Sequence, residues 1–154
     1  MILGVPVGLS LAFSERATGG FWRFDEPARE HPLRFHLRAT APRVERPLTF
    51  RVTGDFSADG LVDAGTLTGT ITAPRAWMLE YRLNIVKDGA VSLVLHGAKH
   101  NIHRDLYAGM TTLAGTLSEP DASSPFARFV SRFDARGDVR WWLRNLHVGA
   151  SLDR

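Results

Sequence analysis

The chain has 154 residues, 44% of them hydrophobic and 23% charged, which suits one soluble globular domain with a sizeable core. Cysteine is absent, so disulfides, zinc knuckles and thiol chemistry are excluded, in keeping with a reducing cytoplasmic setting. The formal charge of +3 comes from 17 arginines and only two lysines, Lys87 and Lys99, set against 16 acidic residues. The arginines are dispersed from Arg16 to Arg154 and form no basic stripe with interleaved aromatics, so no nucleic-acid partner is expected.

The first stretch, "MILGVPVGLSLAF", is apolar but has no basic flank and is interrupted by Gly4, Pro6 and Gly8. It reads as structure and not as a targeting segment or a bilayer span, and no stable membrane insertion is expected. From there the dominant signal is period-two alternation. Val7, Leu9, Leu11 and Phe13 share one face. So do Leu33, Phe35 and Leu37, then Leu48, Phe50 and Val52, then Leu67 and Ile71 amid threonines. Leu79, Tyr81, Leu83 and Ile85 follow, then Val91, Leu93 and Leu95, then Leu113 and Leu117.

About eight strands are predicted, near 5–15, 19–25, 32–41, 47–54, 64–73, 76–86, 90–98 and 107–118. Glycine, proline and aspartate punctuate them. "TGG" at 18–20 separates the first two, and Asp88-Gly89 has the residues a two-residue hairpin turn requires. One apolar and one wet face, with short connections, predict an all-β antiparallel meander closing into a lipocalin-like barrel over residues 1–119.

After Glu119 the period changes. Ser124 and Pro125 form a helix start, and Phe126, Phe129, Val130 and Phe133 recur at helical spacing. Val139, Trp142, Leu143 and Leu146 repeat it before Gly149. The expectation is a C-terminal helical segment over 120–150, packed on the barrel within a single domain. Its arginines and Trp141–Trp142 fit ordinary packing better than membrane docking.

Few residues carry chemistry. His96, His100 and His103 in "LVLHGAKHNIH" would share a face on a helix and suit zinc, but the alternation places them at a strand end entering a loop. Asp55, Asp59 and Asp63 lack the ligand density of a calcium loop. No nucleophile elbow, phosphate loop or dinucleotide fingerprint is present, and no cofactor, metal or assigned catalytic residue is expected. Glu15 continues the face of Phe13, and Lys99 continues that of Leu95, so both charges point inward with the Tyr81 hydroxyl. A charge there is costly unless paired or hydrated. It is either a salt bridge or a polar anchor for a ligand in an apolar lumen.

Three stretches, "FSERATGGF" (13–21), "RAWMLEYRLNI…GAVSLVLHGAKH" (75–100) and "DLYAGMTTLAGTL" (105–117), resemble an accessory domain of bacterial cholesterol-oxidase-like glucose–methanol–choline oxidoreductases. The similarity is carried by Phe13, Glu15, Gly19, Met78, Tyr81, Leu83, Gly97, Lys99, Thr111, Thr112 and Leu113. It implies a β-rich module linked to lipid or sterol metabolism and draws attention to Glu15 and Lys99. The flavin-binding segment of those enzymes has no counterpart here.

The reading that follows is non-catalytic binding of a lipid- or sterol-like small molecule through Phe13, Glu15, Phe35, Phe50, Tyr81, Leu83, Leu95 and Lys99. Leu11, Leu37 and Leu93 complete the lumen lining. One alternative is an isomerase, cyclase or hydratase using Glu15 as acid or base. Another is an interaction module docking on a separate oxidoreductase as its protein partner.

Overall fold

The computed structural model describes residues 8–43, 47–74, 78–100, 111–133 and 147–151, with backbone alone for 8–10 and 147–151. Among the described residues, nine strands form one antiparallel sheet. They are β1 (Gly8–Arg23), β2 (His31–Ala41), β3 (Leu48–Ala58), β4 (Val62–Ala73), β5 (Leu79–Lys87), β6 (Ala90–Lys99), β7 (Thr112–Ser118), β8 (Ala127–Arg132) and β9 (His147–Ser151). Each of β1 to β7 pairs with its successor, and β8 pairs with β1, which closes an eight-stranded barrel. β9 continues the β8 side of the wall, along residues 8–12 of β1.

Alternation drives this closure. On β2, Leu33, Phe35, Leu37, Ala39 and Ala41 are buried while the intervening Arg34, His36, Arg38 and Thr40 are exposed. The inward sets of all eight strands merge into one core. It is rich in rings: Phe13 meets Phe50 edge-on at 4.9 Å, and Phe35 meets Phe133 at 6.3 Å.

Two expectations are corrected. Residues 18–20 do not separate two strands: β1 runs unbroken through Gly19 and Gly20, paired with β2 on one edge and β8 on the other. A Cβ on Gly19 would collide with the backbone of Val130, so the glycine marks a close approach between strands and not a chain break. The barrel also does not end at residue 119. Ala127–Arg132 is a strand, not the first turns of a helix. Ala127, Phe129, Ser131 and Phe133 are buried, whereas Arg128 and Arg132 are exposed, with the Arg128 guanidinium 4.7 Å from the Trp22 ring. The aromatic spacing there satisfies both periods, and pairing with β1 and β7 decides it. The rest of the expected helical segment, 134–146, lies outside the described residues.

The turn at Asp88-Gly89 is as expected, both residues having positive φ (53° and 79°) between β5 and β6.

The register sets the barrel's stagger. The paired row Phe13, Ala39, Val52, Gly69, Leu83, Leu95, Leu117, Ala127 returns to β1 at Arg23, ten residues beyond its start. An eight-stranded barrel is narrow, so its inward side chains either fill it or leave space for one small ligand. Connections β1–β2, β3–β4, β5–β6 and β7–β8 lie at one end, the turn end. There Phe21 stacks on His31 at 4.9 Å, and the Phe24 amide donates to the Phe126 carbonyl. Leu48, Leu79, Lys99 and Thr112 are among the strand termini at the opposite, far end.

Candidate functional site

The stagger explains which side chains meet inside. From Tyr81, the paired row runs through Gly97, Gly115 and Phe129 to Phe21 on β1. That path covers half the circumference, and half the stagger is about five residues. The point on β1 directly across from Tyr81 therefore falls at Arg16, between the inward residues Glu15 and Ala17. Lys99 lies two positions beyond Gly97 on the same inward face. The register thus brings one residue from each of β1, β5 and β6 to one level.

The three form a compact polar group in an apolar barrel. Lys99 Nζ donates to Glu15 Oε1 at 2.8 Å, and the Tyr81 hydroxyl donates to Glu15 Oε2 at 2.8 Å. Lys99 and Tyr81 are 0% exposed and Glu15 is 6% exposed. The ammonium also sits over two rings, 4.1 Å from the centroid of Phe133 and 5.4 Å from that of Tyr81. Each carboxylate oxygen thus accepts one hydrogen bond, from the ammonium on one side and the phenol on the other.

No family model matches this chain, and neither the curated proteins nor the solved structures include one with significant similarity to it.

The other expected binding residues, Phe13, Phe35, Phe50, Leu83 and Leu95, are buried in the same interior. Phe13 and Phe50 lie on the far-end side of the polar group, while Phe35, Leu83 and Leu95 lie toward the turn end. Leu11, Leu48 and Leu79, near the far end, are only partly buried against the core. Sequence reasoning missed the neighbour Phe133, and with it the buried Ser131 on the same face of β8, because both were assigned to a helix. Phe133 covers the ammonium, and buried Ser131 reaches the Leu113 carbonyl at 3.5 Å. The odd-numbered run from Ala127 to Phe133 was the signal available.

The histidines lie apart from this group. His96 is exposed on the outer face and bonds Glu80 at 3.0 Å, beside Arg82 at 2.9 Å. Hydrogen bonds from Arg82 first and His96 second hold the Glu80 carboxyl below its ordinary range. His100 is exposed and His103 lies outside the described residues. Among the described residues, no three histidine or acidic side chains are grouped to hold a metal. A cavity of about 420 Å³ indents the outer wall across β1–β4, with Arg16, Arg34, His36, Asp55 and Asp63 on its polar sides. These residues project outward, so the sheet separates that cavity from Glu15.

Burial, and then the Glu15 charge, push the Tyr81 phenol well above its ordinary value of 10.0. The folded state therefore holds this proton more tightly than the unfolded chain does. The resulting stability is complete below about pH 10 and is lost as pH climbs from there towards the raised folded value. The chain has two tyrosines, so a difference titration of wild type against Tyr81→Phe isolates this phenol. We expect its tyrosinate absorbance to emerge only with unfolding, and the variant to lose stability less steeply with alkalinity. A phenolate forming near pH 10 in the folded protein would contradict the burial described here. At neutral pH, Tyr81→Phe leaves one carboxylate oxygen without its donor and costs about 1–3 kcal/mol.

Proposed function

We propose that the protein binds an amphipathic small molecule inside the barrel. The apolar body would lie among Phe13, Phe50 and Leu79 near the far end, with the polar group directed at Glu15, Lys99 and Tyr81. The observation that supports this is the polar group itself. A narrow barrel that needed only filling is served as well, or better, by apolar side chains than by a buried ion pair. Ligand sites, in contrast, combine an apolar lining with a few fixed polar groups. The resemblance to a module accompanying cholesterol-oxidase-like enzymes supports the same ligand class, lipids and sterols.

Native mass spectrometry of the full chain, purified without detergent or organic solvent, tests this reading. The expected result is a co-purifying species of lipid size that solvent extraction removes. The extracted protein should then bind an apolar fluorescent probe saturably, near one per chain. A clean unliganded mass together with no saturable probe binding would overturn the proposal.

A further inference from the structure

We propose that Lys99 is a covalent capture site, condensing with the carbonyl carbon of an amphipathic aldehyde to give an imine held inside the barrel. This rests on the reading of the interior as a site for amphipathic molecules and adds the functional group that the ligand carries.

Every part the chemistry needs lies around one nitrogen. Lys99 supplies the amine, and it is wholly buried, whereas Lys87, the only other lysine, is exposed at the β5–β6 turn. An ammonium must lose a proton before nitrogen can attack. Glu15 Oε1, 2.8 Å from Nζ, is placed to take that proton, while the Tyr81 hydroxyl holds the other carboxylate oxygen. Attack forms the C–N bond and opens the C=O π bond, and a proton passes from the attacking nitrogen to the new alkoxide, giving a neutral carbinolamine. Glu15 then returns the proton to this hydroxyl, which departs as water as the nitrogen lone pair completes the C=N bond.

The net change is ammonium plus aldehyde to protonated imine plus water, with no redox partner and no change in charge. The Glu15 carboxylate becomes the counter-ion of the iminium. The Phe133 and Tyr81 rings, which flank the ammonium at 4.1 and 5.4 Å, stabilise the new cation by the same electrostatics. Burial also matters in the reverse direction. Imines in water hydrolyse, and a site that excludes water slows the return.

The two lysines make the test internally controlled. The full-length, solvent-extracted protein is incubated with decanal, reduced with sodium borohydride, digested and mapped by mass spectrometry. The expected product is a decyl secondary amine on Lys99, exceeding modification of Lys87 by about tenfold or more because the bound aldehyde is held at high effective concentration. Decanol, which cannot form an imine, should bind reversibly and protect Lys99 when in excess.

Mapping needs no variant, so a misfolded mutant cannot confuse the result. Decanol binding without a Lys99 adduct from decanal would overturn the capture proposal while leaving amphiphile binding intact. Failure of both compounds to bind would overturn the two together. Equal labelling of Lys87 and Lys99 would overturn the capture proposal by showing ordinary solution chemistry.

Discussion

Replacing Lys99 alone by methionine is expected to cost about 3–5 kcal/mol, a large part of the total stability of an ordinary domain. The substitution leaves Glu15 buried with only the Tyr81 hydroxyl as partner, in a barrel otherwise lined by leucine, phenylalanine and alanine. Glu15→Gln has the mirror-image effect: it leaves an ammonium with 0% exposure and no counter-charge. The double variant removes both charges, and its glutamine still accepts from Tyr81, so most of the loss should be recovered. Urea denaturation of the four proteins closes the cycle, with a coupling energy of several kcal/mol expected between the two positions. Single variants that each cost under about 1 kcal/mol and simply add would show that the pair is not buried together.

The same pair shows how far the sequence alone can be read. Facing is local: Glu15 follows Phe13 by two residues, and Lys99 follows Leu95 by four, so alternation places both inside. Their meeting is not local. It depends on a ten-residue stagger accumulated over eight strand pairings, and a shift of two residues in any one would preserve every inside–outside assignment while moving Glu15 away from Tyr81. The Asp88-Gly89 turn was legible because its positive φ angles are a property of two residues.

Strand β8 was not legible, because Phe126, Phe129, Val130 and Phe133 fit a helical face while Ala127, Phe129, Ser131 and Phe133 fit a strand. The partners that settle the matter, β1 and β7, lie at least nine residues away along the chain and supply both edges. The error had a compensating partner. Splitting β1 at its glycines added one strand, and missing β8 removed one, so the expected number of barrel strands survived although two assignments did not. Phe133, which covers the Lys99 ammonium, fell out of the expected site for this reason alone.

The second large effect should come from a methyl group. Gly115 on β7 faces Gly97 on β6 across the strand pair. A Cβ built on Gly115 would stand 2.5 Å from the Gly97 Cα and 2.8 Å from the His96 carbonyl carbon, both backbone atoms with no freedom to rotate away. Gly115→Ala must therefore push β6 and β7 apart, and overpacking of this kind costs about 1–3 kcal/mol. Gly97→Ala should cost less, because the two nearest atoms it meets are side-chain ends, Phe129 Cζ at 2.8 Å and Leu113 Cδ1 at 3.1 Å, and the backbone comes no nearer than the Ala114 carbonyl oxygen at 3.2 Å.

This strand pair also carries the polar group. Gly97 and Gly115 lie on the row that contains Tyr81, and Lys99 ends β6 two residues farther on. Spreading the wall here admits water to the phenol and weakens the desolvation that dominates its raised pKa. In Gly115→Ala, Tyr81 should thus ionise at a lower pH than in wild type, while the protein is still folded by circular dichroism. A variant as stable as wild type, with an unchanged alkaline titration, would mean that β6 and β7 do not approach as closely as described. The register that aligns Glu15 with Tyr81 would then need revision too, since both follow from the same pairing.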